Sequence, residues 1–173
     1  TSPVDTTLAL ARGARAAGVR IRENTRVTGI RRNRGRVTGV VSDAGEVSAE
    51  YVVNCGGIWA NQIAGFAGTS VPVHAAEHFY VITEPVPGLE TRLPTLRDPG
   101  GCAYYKWEAG GKLLIGFFEP RAKPWGMQGI PEEFAFDQLP DDWEHLEPQL
   151  EETLLRVPAL RETGIRSFLN GPE

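Results

Sequence analysis

Tyr51-Val52-Val53-Asn54-Cys55-Gly56-Gly57-Ile58-Trp59 is the stretch on which the reading of the fold turns. Tyr51 to Cys55 is a nearly continuous apolar run, of the kind buried on both faces of a layered sheet. Gly56-Gly57 breaks it, and a short amphipathic helix is expected over residues 59–66. Two glycines between a buried strand and a helix let another group approach the backbone closely, and the helix start directs amides and its positive end at the gap. A dinucleotide phosphate or ribose would fit there. A plain tight turn is the alternative, because Gly-Gly after a strand is common.

Upstream, Ser2-Pro3-Val4-Asp5 has the form of a helix start: Ser2 can cap, Pro3 suits the first turn, and Asp5 is placed to answer the cap. The helix should reach about Ala17 and end at Gly18, with Val19-Arg20-Ile21-Arg22 extended after it. From Thr25 the period becomes two. Val27 and Gly29, the turn Asn33-Arg34-Gly35, then Val37-Thr38-Gly39-Val40-Val41, the turn Asp43-Ala44-Gly45 and a strand over 47–53 predict a small antiparallel meander.

Downstream of Gly68-Thr69-Ser70 the chain changes to long strands punctuated by Pro and Gly. Strands are expected at 71–83, 91–97, 101–107 and 112–118, with turns at Pro85-Val86-Pro87-Gly88 and Ala109-Gly110-Gly111. Residues 120–131 read as an irregular loop. Residues 141–157 read as an acidic helix with Leu146, Leu150, Leu154 and Leu155 on its apolar side, and 164–169 as a further strand. The fold class is therefore α/β plus α+β, dividing near residue 70 into a layered unit with a meander and a mostly antiparallel sheet with flanking helices.

The 173 residues, 41% of them hydrophobic, can build one domain or parts of two. No apolar run is long enough for a membrane span, and the opening residues lack the pattern of a signal peptide, so neither is expected. Cys55 and Cys102 form no CxxC pair, which argues for a reducing, cytoplasm-like compartment. The formal charge is −4, yet nine arginines crowd residues 12–36 and nine carboxylates crowd 132–152. The arginine-rich stretch contains no aromatic residue for base stacking, so a nucleic-acid partner is not expected. The absence of an initiator Met and the abrupt end at Asn170-Gly171-Pro172-Glu173 suggest an internal piece of a longer protein.

Alternation on the strand after Ser70 puts His74, His78 and Tyr80 on one face and Phe79 and Val81 on the other. An imidazole there can hold a carboxylate, orient an amine or accept a proton, or it can be purely structural. In Cys102-Ala103-Tyr104-Tyr105-Lys106-Trp107, Tyr104 and Lys106 share a face, so a tyrosine hydroxyl could point into a cavity beside His78; aromatic core packing is the alternative. GxGxxG, Walker, GxSxG, HExxH and EF-hand spacings are all missing, which removes hydrolase, kinase and metalloenzyme readings.

The order helix, Val19-Arg20-Ile21-Arg22-Glu23-Asn24-Thr25-Arg26-Val27-Thr28-Gly29-Ile30, meander, then Val52-Val53-Asn54-Cys55-Gly56-Gly57-Ile58-Trp59-Ala60 resembles the D-amino-acid-oxidase superfamily of flavoproteins. Val73-His74-Ala75-Ala76-Glu77-His78-Phe79-Tyr80-Val81-Ile82-Thr83-Glu84 and Leu93-Pro94-Thr95-Leu96-Arg97-Asp98 are similar to its dimethylglycine and sarcosine dehydrogenase group, and are the more specific pair. The resemblance implies an FAD-dependent enzyme that oxidises the C–N bond of a small N-methylated amino acid. A hydride passes to the flavin, and the imine left behind hydrolyses or hands its one-carbon unit to folate.

It further implies Val27 beside the adenosine half of FAD, with Cys55, Gly56, Gly57 and Trp59 along the cofactor. His78 and Tyr104 would face the flavin ring and handle the substrate's amine and carboxylate. Residues 1–70 would be part of a Rossmann-like FAD-binding domain and 71–173 a substrate-binding domain. In such proteins the GxGxxG strand and turn, the acidic ribose ligand and a histidine that can carry the flavin covalently come earlier in the chain. A Gly-rich segment that closes over the flavin comes later. The 173-residue piece is therefore expected neither to retain FAD nor to turn over substrate alone. Pyruvate dehydrogenase phosphatase regulatory subunits share the resemblance, which leaves a non-catalytic role open, and one methyl group is worth only about 1–3 kcal/mol in a pocket, which leaves the amine open.

Overall fold

The computed structural model describes residues 2–90 and 92–173. They form two compact units: Thr1–Asn54 with Ile63–Thr69, and Cys55–Gln62 with Ser70–Glu173. In the first unit the capping signal operates as the sequence predicts: Ser2 Oγ accepts the Asp5 N–H at 3.2 Å, opening α1 (Pro3–Ala16). Gly18 ends it in the left-handed region at φ 87°. The meander follows as β1 (Val27–Asn33), β2 (Arg36–Ser42) and β3 (Gly45–Ser48), all antiparallel in that order.

One expected extended stretch forms no strand, and one expected strand is cut short. Residues 19–22 belong to no ladder, and β3 stops at Ser48, leaving residues 51–55 outside any strand. An apolar run without alternation is buried only where strands flank it on both sides. No strand among the described residues pairs with it, and Tyr51 and Val53 remain 83% and 82% exposed.

In the second unit a 3₁₀ turn over Gly57–Trp59 leads into α2 (Ala60–Phe66), whose residues 60–62 belong to this unit and 63–66 to the first. The sheet comprises β4 (Ala76–Thr83), β5 (Leu96–Asp98), β6 (Ala103–Glu108), β7 (Lys112–Phe117), the two-residue β8 (Lys123–Pro124) and β9 (Ile165–Pro172). The order is β5-β6-β7-β4, with every pair antiparallel; β8 continues the β7 side of β4, while β9 takes the other side. The strand expected over 71–83 begins only at Ala76, so His74 precedes it and bonds Ala75 O instead. The strand expected over 91–97 is the three-residue β5, and its expected start, Thr91, lies outside the described residues.

One face of this sheet is the core. Phe79, Val81, Ala103, Tyr105, Leu113, Ile115, Phe117 and Phe168 point into it, covered by α3 (Trp143–Arg156) through Leu146 and by the 3₁₀ turn Pro158–Glu162 through Leu160. The inner stripe of α3 runs through Leu146, Leu150 and Thr153, and Tyr105 Oη donates to Thr153 Oγ1 at 3.4 Å. Leu155, expected on that stripe, is 63% exposed. The reason is angular, since 146, 150, 153 and 154 fall on one side of a 3.6-residue helix while 155 lies a further 100° round. Lys123 ties β8 to β4 and to the α3 cap, reaching Glu77 at 3.1 Å and Asp142 at 2.7 Å.

Phe79→Ala should cost about 3–5 kcal/mol in urea unfolding, the usual penalty for a cavity at a fully buried aromatic position. Leu155→Ala should stay within about 0.5 kcal/mol, as at other surface positions.

Candidate functional site

The opposite face of the sheet carries polar and aromatic groups. Cross-strand pairing sets Arg97 of β5, Tyr104 of β6, Gly116 of β7, Tyr80 of β4 and Leu169 of β9 in one row. Directly paired residues share a face, so Arg97, Tyr104 and Tyr80 project together. Gly116 makes this possible: a Cβ at that position would overlap the Cζ and Oη of Tyr104, whose ring lies across the β7 backbone towards β4.

His78 stands two residues before Tyr80 on β4, on the same side. Phe118, just past β7, links the cluster: its ring centroid is 6.3 Å from that of His78 and 5.6 Å from that of Tyr104, with the Arg97 guanidinium 4.3 Å above it. No carboxylate among the described residues pairs with Arg97, whereas Lys106 on the same face is held by Glu108 at 2.6 Å. Glu119 turns back under His78. Its side chain is only 6% exposed, and Oε2 accepts from His78 Nδ1 at 3.0 Å while Oε1 accepts the Phe79 N–H at 3.3 Å.

The hydrogen bond to Glu119 lifts the His78 imidazole above its ordinary value of 6.5 against the opposing effect of burial, and the charges of Glu119 and Glu173 add to the lift. Burial raises the Tyr104 hydroxyl above the ordinary phenol value, with Tyr80, Glu173 and Glu119 adding and Lys106 opposing. Tyr104 is thus a neutral O–H donor at neutral pH.

The structure brings His78 and Tyr104 onto one face through Phe118. Cys55, Gly56, Gly57 and Trp59 belong to the same unit but make up the turn before α2. Val27 lies at the start of β1 in the other unit. Sequence reasoning missed Arg97, Phe118 and Glu119. Arg97 could have been found once β5 was registered on Tyr104; Glu119 falls between the strand expected at 112–118 and the loop expected at 120–131, where no local signal marks it.

The turn fits a group laid against its backbone. Gly57 has φ 54°, and a Cβ there would meet nothing within 4 Å. The Cys55 thiol is exposed and Trp59 is 36% exposed. α2 has only seven residues, so the open turn, not the helix end, is what favours a ligand.

The mixed α/β fold with antiparallel sheets is that of FAD-dependent oxidoreductases. The profile of the FAD dependent oxidoreductase family (DAO) matches residues 1–172, and the chain belongs to that family. It is 38% identical over 99% of its length to the mitochondrial pyruvate dehydrogenase phosphatase regulatory subunit of Mus musculus, covering 20% of that protein. Against the mitochondrial sarcosine dehydrogenase of Homo sapiens it is 38% identical over 99% of its length, covering 19%. Against the mitochondrial dimethylglycine dehydrogenase of Rattus norvegicus it is 32% identical over 98%, covering 21%. The chain thus spans about a fifth of the length of these curated relatives. Among solved structures, L-proline dehydrogenase from P. horikoshii superposes over 98% of this chain and 43% of that one, at 25% identity and a TM-score of 0.75. No helix among the described residues is long and apolar enough to cross a membrane.

Two outcomes test this geometry. Gly116→Ala should displace the Tyr104 ring and destabilise the protein by about 1–3 kcal/mol in denaturant unfolding, the range for overpacking. His78→Gln should remove a stabilisation that is fully present below pH 6.5, the unfolded value, and that fades as pH rises through the higher folded value. Urea midpoints of the two proteins should therefore differ in acid and converge in alkali.

Proposed function

We propose that the protein containing this chain oxidises the C–N bond of a small N-methylated amino acid, such as dimethylglycine or sarcosine, at a bound flavin. The observation that carries the reading is the two-sided sheet: an apolar core behind, and His78, Tyr80, Tyr104 and Arg97 presented together in front. An amino-acid substrate needs a cation for its carboxylate and polar groups for its amine. Arg97, stacked on Phe118 and without a carboxylate partner among the described residues, supplies the first. His78 and Tyr104 supply the second.

FAD would accept the hydride of the substrate's C–H bond when bound. The open backbone at Gly57, with Cys55, Gly56 and Trp59 beside it, would hold part of the cofactor, and Val27 its adenosine half. Residues 1–70 would serve the cofactor and 71–173 the substrate. Both cysteines are free, which suits a reducing compartment such as the cytoplasm; the relatives are named as mitochondrial. A regulatory role is the second reading, favoured by the 38% identity to the phosphatase regulatory subunit.

Anaerobic addition of dimethylglycine or sarcosine to the flavin-loaded full-length protein should bleach the flavin. His78→Ala or Tyr104→Phe should slow the bleaching about 10²–10⁴-fold, the range for a positioned proton-transfer group. Flavin that stays oxidised with every N-methylated amino acid offered would favour the regulatory reading. The 173-residue chain purified alone should be colourless, and retained flavin absorbance would contradict that.

A further inference from the structure

The elements packed around His78 present six titratable or charged groups on its face or beside it. Glu119 follows β7 and Glu173 follows β9, while Tyr80 of β4, Tyr104 and Lys106 of β6 and Arg97 of β5 share its face. Only Glu119 is buried and bonded to the ring, and its second oxygen is already occupied by the Phe79 N–H. A carboxylate bonded in this way is an acceptor only, so the proton between the two groups belongs to Nδ1 of the imidazole. Nε2 is left turned towards a shallow cavity of about 340 Å³ lined by His78, Tyr80, Gln138, Asn170 and Glu173, with Glu173 itself 3.5 Å away and largely exposed.

We propose that Glu119 is a positioning residue acting through His78: by holding the Nδ1 proton it makes Nε2 the single atom through which the ring takes up and releases a proton. The inference rests on reading this face as the substrate site. In the neutral ring Nε2 then carries a lone pair, and an amino-acid ammonium brought against it loses one N–H proton to that nitrogen. The ring becomes an imidazolium bonded to Glu119, the amine keeps its electron pair, and the proton later passes to solvent. The buried carboxylate stabilises the imidazolium formed, as the carboxylate behind a catalytic histidine does in other enzymes. Glu119 needs no contact with substrate for this.

Ring ¹⁵N shifts of the labelled 173-residue chain test it, with His78 assigned among the three histidines by His78→Gln. The neutral His78 of the wild type should carry its proton on Nδ1. Glu119→Gln keeps an acceptor oxygen but no charge, so the same tautomer should persist while the titration moves to lower pH. Glu119→Ala should lose the Nδ1 preference, with unchanged His74 and His145 signals reporting an intact fold. A wild-type ring protonated on Nε2 when neutral, or a tautomer and titration indifferent to both substitutions, overturns the proposal.

In the flavin-loaded full-length protein, Glu119→Gln should move the acid limb of kcat/KM to lower pH. A carboxylate that merely props the strand would lower the plateau and leave the limb in place, which also overturns the proposal. Should no amine reduce the flavin, the reading of the face as a substrate site fails while the tautomer experiment still decides the role of Glu119.

Discussion

Strand β4 cannot turn one side chain without turning all the others, and the second unit is arranged around that constraint. Its period of two sends Phe79 and Val81 into the core and His78 and Tyr80 to the opposite face. β4 is paired on both edges, by β7 and β8 on one side and β9 on the other, so a slip of one residue would bury an imidazole and a phenol and expose two fully buried apolar side chains. Hydrophobic burial therefore fixes the register, and the register delivers the polar groups to their face. Stability and site are two sides of a single choice.

The neighbouring strands extend that choice sideways. Ala103 and Tyr105 go inward on β6, which obliges Tyr104 to go outward, and Leu113, Ile115 and Phe117 on β7 leave Gly116 facing the site. A side chain at 116 would occupy the space that the Tyr104 ring uses. Where β7 ends the alternation lapses, and Phe118 and Glu119 fold against His78. This is where the cluster acquires its aromatic hub and its buried carboxylate.

Much of this was legible beforehand where a local signal exists. The α1 cap, the three-stranded meander, the opposition of His78 to Phe79 and the strand of Tyr104 all follow from spacing and turn residues. The stretch Tyr51 to Cys55 departs from its expected strand because an apolar run states a need for neighbours without supplying them. Leu155 departs from the expected apolar stripe because four leucines close together in sequence cannot all fit within one helical stripe. Alternation alone places His74 on the strand, whereas the ladder's start depends on where β8 and β9 reach β4, a matter of partners some fifty to a hundred residues away.

The sequence by itself determined which residues alternate, where helices cap and turns break, and which side chains could carry proton or carboxylate chemistry, because each of these is set by backbone sterics within a few residues. Only the tertiary structure decided that Arg97 lies in register with Tyr104, that Gly116 makes room for a ring from the next strand, and that Glu119 is the carboxylate behind His78. These are contacts between distant strands. Their partners are chosen by the packing of the opposite, apolar face, and no local pattern in the chain encodes them.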